Sequence, residues 1–167
     1  DFGLLGWQVQ SLWDVQLPAE AALRMNTTLN AAKGKYDAGE GPVARVSGTF
    51  NASDARIDLG SATTPSPASV GLTLNASDGS LSLPLGVITG GITLNASSLD
   101  LCVPRDAELR IDYTSVLGSD DLGSSGLEEV SSGLWTADGS AEAEARVSLS
   151  ITNTVSSLSI ERPESCS

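Results

Sequence analysis

The side chains available for chemistry in this sequence are carboxylates. It holds 21 Asp and Glu against 9 Lys and Arg, and no histidine. That removes imidazole acid–base work, Ser-His-Asp and Cys-His nucleophiles, and histidine-ligated zinc or haem. Paired carboxylates can hydrolyse glycosides unaided by histidine, and Asp54, Asp58, Asp78, Asp100 and Asp112 are the residues that would do so. Sugar sites generally add aromatic platforms. The chain has two Phe, two Tyr and three Trp, and Trp7 and Trp13 share one apolar strand face. No enzyme and no cofactor are expected.

Two further patterns bear on binding. Arg56-Ile57-Asp58 and Arg110-Ile111-Asp112 each place an outward Arg and Asp around an inward Ile. They are read as a candidate ligand or partner face, against the simpler account of cross-strand ion pairs worth a fraction of a kcal/mol. The acidic pairs Asp120-Asp121 and Glu128-Glu129 lack the spacing of a closed calcium cage, so no metal site is expected. The net charge of −12 argues against nucleic acid and against direct binding to anionic lipid. Asn26, Asn51, Asn75 and Asn95 head N-x-S/T sequons, three of which come with a repeated TxNAS motif. Cys102 and Cys166 lack metal-site spacing. In an extracytoplasmic protein they can form a disulfide, and in the cytosol they would be two thiols.

The elements that must position these residues are strands. From Trp7 to Leu17 apolar residues fall at nearly every second position until Pro18. The alternation resumes at Ala21, Leu23, Met25, Thr27 and Leu29, at Leu72 and Leu74, at Leu81, Leu83 and Leu85, and at Leu109, Ile111 and Tyr113. A long last run spans Ala141 to Ile151. Self-similarity is stronger than any single segment. TLNAAKGKYDAG (28–39), TFNASDARIDLG (49–60), TLNASDGSLSLPLG (73–86) and TLNASSLDLCVP (93–104) are copies of one unit, with a fainter fifth at 150–163. Asn30, Asn51, Asn75 and Asn95 fall 21, 24 and 20 residues apart. Two short strands per unit predict an all-β, single-domain β-solenoid-like stack, with a β-sandwich as the alternative.

The apolar phase flips across each asparagine, so the chain must turn there for both strands to face one interior. Asn30, Asn51, Asn75 and Asn95 are therefore expected to form a structural ladder at the corners, Asn itself tolerating the left-handed conformation. Over 1–167 the expected organisation is an edge strand or cap at 1–20, four repeats at 21–113, a loop or cap insertion at 114–140, and a final strand pair at 141–163. No run of about 18 apolar residues crosses a membrane. The start at Asp1, with Met25 the only methionine, leads us to expect a removed leader or N-terminal anchor.

The stretch from Thr93 to Ile111, TLNASSLDLCVPRDAELRI, resembles the repeat of bacterial adhesin-like proteins and of LiaF-type envelope-stress proteins, the toast-rack group. Gly126-Leu127 and Leu134-Trp135 before a final Ala-rich strand pair fit it too. Many members carry Gly where this chain has Ser53, Ser77 and Ser97. The resemblance implies a stacked β domain without catalytic residues, outside the membrane and tethered through N-terminal helices. It would sense, scaffold or adhere, with another envelope or membrane protein or a cell-wall polymer as partner. Two other functions stay open: a carbohydrate-binding or carboxylate-dependent glycan-active β-helix, and a structural protein that self-associates through its open ends.

Overall fold

Side chains of period two place one face of each strand in the core and the other in water. A computed structural model describes residues 21–64, 67–139 and 145–166. The expected strand over 7–17, with Trp7 and Trp13, and the start of the last run at 141–144 lie outside the described residues.

Each repeat forms one rung: a long strand, two corner residues, and a short strand. The first four rungs are β1 (Leu23–Asn30) with β2 (Lys33–Asp37), β3 (Val43–Asn51) with β4 (Asp54–Asp58), β5 (Ala68–Asn75) with β6 (Asp78–Ser82), and β7 (Val87–Asn95) with β8 (Ser98–Cys102). Next come β9 (Glu108–Val116) with the stub β10 (Ser119–Asp120), the hairpin β11 (Glu128–Ser131) and β12 (Leu134–Ala137), and β13 (Arg146–Thr154) with β14 (Ser157–Glu161). Long strands build one sheet in the order β1-β3-β5-β7-β13-β9-β12-β11, short strands another in the order β10-β14-β8-β6-β4-β2. Pairing between rungs is parallel throughout. The solenoid expectation holds, as an all-β stack of two facing parallel sheets.

The core lies between the sheets. Val46, Phe50, Leu94 and Ile151 from long strands meet Leu81, Leu99, Leu101 and Ile160 from short ones. A side chain at Gly48 would overlap the Phe50 ring, its Cβ falling 2.7 Å from it, so the largest fully buried side chain sits where its neighbour two positions back has none. Leu85 departs from expectation: it is half exposed, because β6 ends at Ser82 and Pro84 turns the chain out of the inward phase.

Two corrections concern order and number. The stack has six rungs among the described residues, and the last in sequence, β13–β14, lies fifth in space, between β7–β8 and β9–β10. Of the loop and cap alternatives for the insertion, the described residues 114–139 take the cap, and they also complete a rung. Their first part completes the sixth rung, and β12 then pairs antiparallel with β9, so the hairpin caps the long-strand sheet. On the other sheet Asp121 acts in place of a further strand, its carboxylate accepting from Ile160 N–H at 2.9 Å and Ser159 O–H at 3.0 Å.

The inserted rung is held by more than its ladders. Cys102, at the end of β8, is bonded to Cys166, 64 residues on, in the tail beyond β14. The Arg162 guanidinium donates to the carbonyls of Arg105 (2.9 Å) and Ala107 (2.6 Å), tying the tail to the turn before β9. Burial first, then the charge of Arg105, lowers the Arg162 pKa, while Asp138 opposes both.

Leu149 and Ile151 fill the core on a rung with neighbours on both sides, so Leu149→Ala is expected to cost about 2–5 kcal/mol in chemical denaturation. Closing a loop of this length is worth about 4 kcal/mol in the chain-entropy model, so Cys102→Ser with Cys166→Ser should lower the unfolding free energy by about 2–4 kcal/mol. An unchanged denaturation midpoint would show that the bridge is incidental to the rung.

Candidate functional site

Two features of the rungs reach the surface in ordered arrays: the corners and the outward sheet faces. At the corners each Asn-Ala-Ser triplet divides the work among three residues. The Asn carboxamides form a directional ladder, with Asn51 Nδ2 donating to Asn30 Oδ1 at 2.7 Å, Asn75 to Asn51 at 2.8 Å and Asn95 to Asn75 at 2.8 Å. The serines form an inner ladder: Ser53 N–H donates to Ser77 Oγ (3.1 Å), Ser77 N–H to Ser97 Oγ (3.2 Å) and Ser97 N–H to Ser156 Oγ (2.9 Å). The hydroxyls of Ser77, Ser97 and Ser156 also donate to the carbonyl two residues back, so each both accepts and donates, while Ser53 Oγ lies against the Asn51 and Leu29 carbonyls.

The left-handed residue is not the asparagine, as the sequence led us to expect, but the alanine after it. Ala31, Ala52, Ala76 and Ala96 have φ of 48–50°, and Leu117 and Val155 take the equivalent place with φ of 57° and 52°. The reason is the hydrogen bonds of the turn. The Ala31, Ala52 and Ala76 N–H groups donate to the Asn51, Asn75 and Asn95 carbonyls of the next rung, which keeps the asparagine extended and in the ladder.

Asn153 is the polar residue that sequence reasoning missed. Its partners are Leu94 and Ser115, so it faces inward and is fully buried. It donates to the Tyr113 hydroxyl (2.7 Å) and the Ser156 carbonyl (3.2 Å), and accepts from Ser156 N–H (3.1 Å). A Cβ at Gly118 would fall 2.5 Å from its amide, so the sixth corner carries glycine where the others carry Ser or Ala. An asparagine in an inward phase next to a glycine in the corner register was the only available signal.

The candidate face does not assemble. Arg56 and Asp58 are on β4 of the short-strand sheet, Arg110 and Asp112 on β9 of the long-strand sheet. Outward residues of two sheets packed core to core point in opposite directions, so the repeated Arg-Ile-Asp words cannot form one stripe. The short-strand face is a mosaic of opposite charges around a shallow depression lined by Lys33, Lys35, Asp54, Arg56, Asp78 and Asp100. Lys33 lies 2.6 Å from Asp54 and Arg56 lies 3.9 Å from Asp58. Asp54, by hydrogen bond and then by charge, raises the Lys33 pKa above the usual lysine value. Asp78 accepts a short hydrogen bond from Ser98. Among the expected glycan carboxylates, Asp112 is on the opposite face from Asp54, Asp58, Asp78 and Asp100. Asp120 and Glu129 accept from nearby backbone N–H groups, which gives these two acids a turn-forming role, while Asp121 holds the edge of β14.

Comparison with protein-family models finds no match, and comparison with curated proteins finds none either. Among solved structures, the crystal structure of a candidate cell adhesion protein from Clostridium sporogenes ATCC 15579 is similar, with a TM-score of 0.57 over 84% of this chain and 93% of that one. At 10% identity the likeness is one of fold. The shared fold is the stack of two facing β-sheets.

The corner model makes two predictions. Ser77→Ala leaves Ser53 N–H buried without its acceptor and is expected to cost about 1–3 kcal/mol in denaturant unfolding. Val155→Gly removes a β-branched residue from a left-handed conformation, with little burial to lose. It should raise stability by up to about 1 kcal/mol, after the added entropy of glycine in the unfolded chain.

Proposed function

We propose that this chain is a non-enzymatic, extracytoplasmic adhesin-like domain of the toast-rack kind, displayed at the cell envelope by a membrane-anchored protein. The Cys102–Cys166 bridge carries this reading. Such bonds persist in oxidising compartments and are rare in the cytosol, and here one fastens the last rung of the fold. The likeness to a candidate cell adhesion protein supports it. So does the economy of the surface, where charged groups pair with each other and acidic groups shape turns or hold a strand edge. Its partner is another envelope protein or a cell-wall polymer, met by the side of a rigid stack.

The test is the state of the two cysteines in intact cells. Alkylation before lysis, followed by mass analysis with and without reduction, is expected to show both residues blocked until reductant is added, and antibody should label unpermeabilised cells. Two freely alkylated thiols with labelling only after permeabilisation would refute the proposal. Calorimetric titration with purified cell-wall polymers then separates the partners: saturable heat points to the polymer, flat traces to a protein.

A further inference from the structure

The outward face of the long-strand sheet carries a threonine row that neither the corner ladders nor the adhesion proposal uses. Thr28, Thr49, Thr73, Thr93, Thr152 and Thr114 are register partners from each rung to the next, so one threonine row crosses all six rungs. Two residues along each strand runs the parallel row Asn30, Asn51, Asn75 and Asn95, continued by Thr154. On the other side lie Asn26, Ser47, Gly71, Gly91 and Ser150. Charge enters these three rows only at Asp112, on the sixth rung. The outward rows nearer the strand starts are charged, at Arg24, Arg45 and Arg110 and then at Arg146 and Glu108, so the neutral area is the corner half of this face.

Strand propensity explains a threonine here and there, since cross-strand Thr pairs stabilise a sheet by a few tenths of a kcal/mol. It does not explain the row. In β13 and β9 the repeat decays: the corner Asn becomes Thr154 and Val116, and the left-handed Ala becomes Val155 and Leu117. The threonine alone is kept in every rung. Its hydroxyl is also unused by the protein. Among the described residues none of the six donates or accepts a hydrogen bond within the chain, whereas the corner serines and asparagines are joined in ladders.

We propose that this threonine–asparagine face binds the surface of ice. Parallel rungs stand about 4.7–4.9 Å apart, and side chains two residues apart along a strand about 6.6 Å. Hexagonal ice repeats its oxygen positions on its prism face at one distance close to the first spacing and at another somewhat longer than the second, a difference side-chain tilt can cover. A rigid grid of hydroxyls and amides on those spacings holds first-layer water where the crystal continues, and the threonine methyl groups exclude disordered water between them. The asparagine ladder keeps the rungs in line, the kind of side-chain ladder that flattens a parallel sheet. Neutral groups suit this task, because an ionised side chain would keep its own hydration shell. The proposal is independent of where the protein is displayed.

The experiment uses the disulfide-bonded chain in a slowly growing ice hemisphere and in single-crystal growth measurements. The unaltered protein is expected to enter the ice and to hold a crystal without growth over a measurable freezing gap. Thr73→Arg with Thr93→Arg should be excluded from the ice and lose the gap, whereas Ser80→Arg, on the opposite sheet, should behave as the unaltered protein. Circular dichroism and melting establish that each variant is folded, and Thr49→Lys replaces the double variant if that one does not fold. Exclusion of the unaltered protein from ice would overturn the proposal, as would equal ice binding by the threonine variants. Adsorption to crystalline chitin or cellulose, lost in the threonine variants, together with exclusion from ice would reassign the face to a polymer.

Discussion

In-phase stacking of the corners is the constraint on which the rest of this structure depends. A parallel two-sheet stack works only if every rung turns at the same place, because a one-residue slip in a strand exchanges its buried and exposed faces. The Asn-Ala-Ser triplet sets that place with three hydrogen-bonded arrays at once: carboxamide to carboxamide outside, alanine N–H to asparagine carbonyl in the backbone, and serine to serine inside. Left-handed φ at each alanine costs about 1–2 kcal/mol. Those arrays offset it by leaving no corner group buried without a partner. The outer arrays on the sheet faces are regular because the corners are.

The same constraint explains the placement of the last rung. After β8 the chain passes over one position in the stack and builds the sixth rung first, leaving β7 and β9 with inner edges that only β13 can pair. Asn153 and Gly118 fit together across this junction, Arg162 ties down the far side, and the disulfide closes the tail on β8. Insertion of a C-terminal rung between rungs made earlier is a long-range event, so the contacts completed last in synthesis are central to the finished core.

Functionally, the two outward faces have opposite characters. One is a self-compensating mosaic of charges; the other is neutral in its corner half, with threonine, asparagine, serine and glycine, and carries arginines toward the strand starts. Two rigid and chemically distinct faces favour the proposed recognition of extended surfaces over capture of a small molecule. That is the common ground between an adhesin-like role and binding to an ordered solid.

Much of the architecture was legible in the sequence. Alternation at Leu72, Leu74, Leu81 and Leu83 determined which faces are buried, and the recurring TxNAS triplets determined the rung length and the corner positions, because both depend on residues adjacent in the chain. What depends on residues far apart was not legible. Both Arg-Ile-Asp words look alike locally, yet one sits on a short strand and the other on a long one, so they face opposite ways. The place of β13 between β7 and β9, the burial of Asn153 and the meeting of Cys102 with Cys166 follow from which unpaired edge the last rung fills. That choice is decided by backbone pairing and core volume across rungs, which only the tertiary structure brings together.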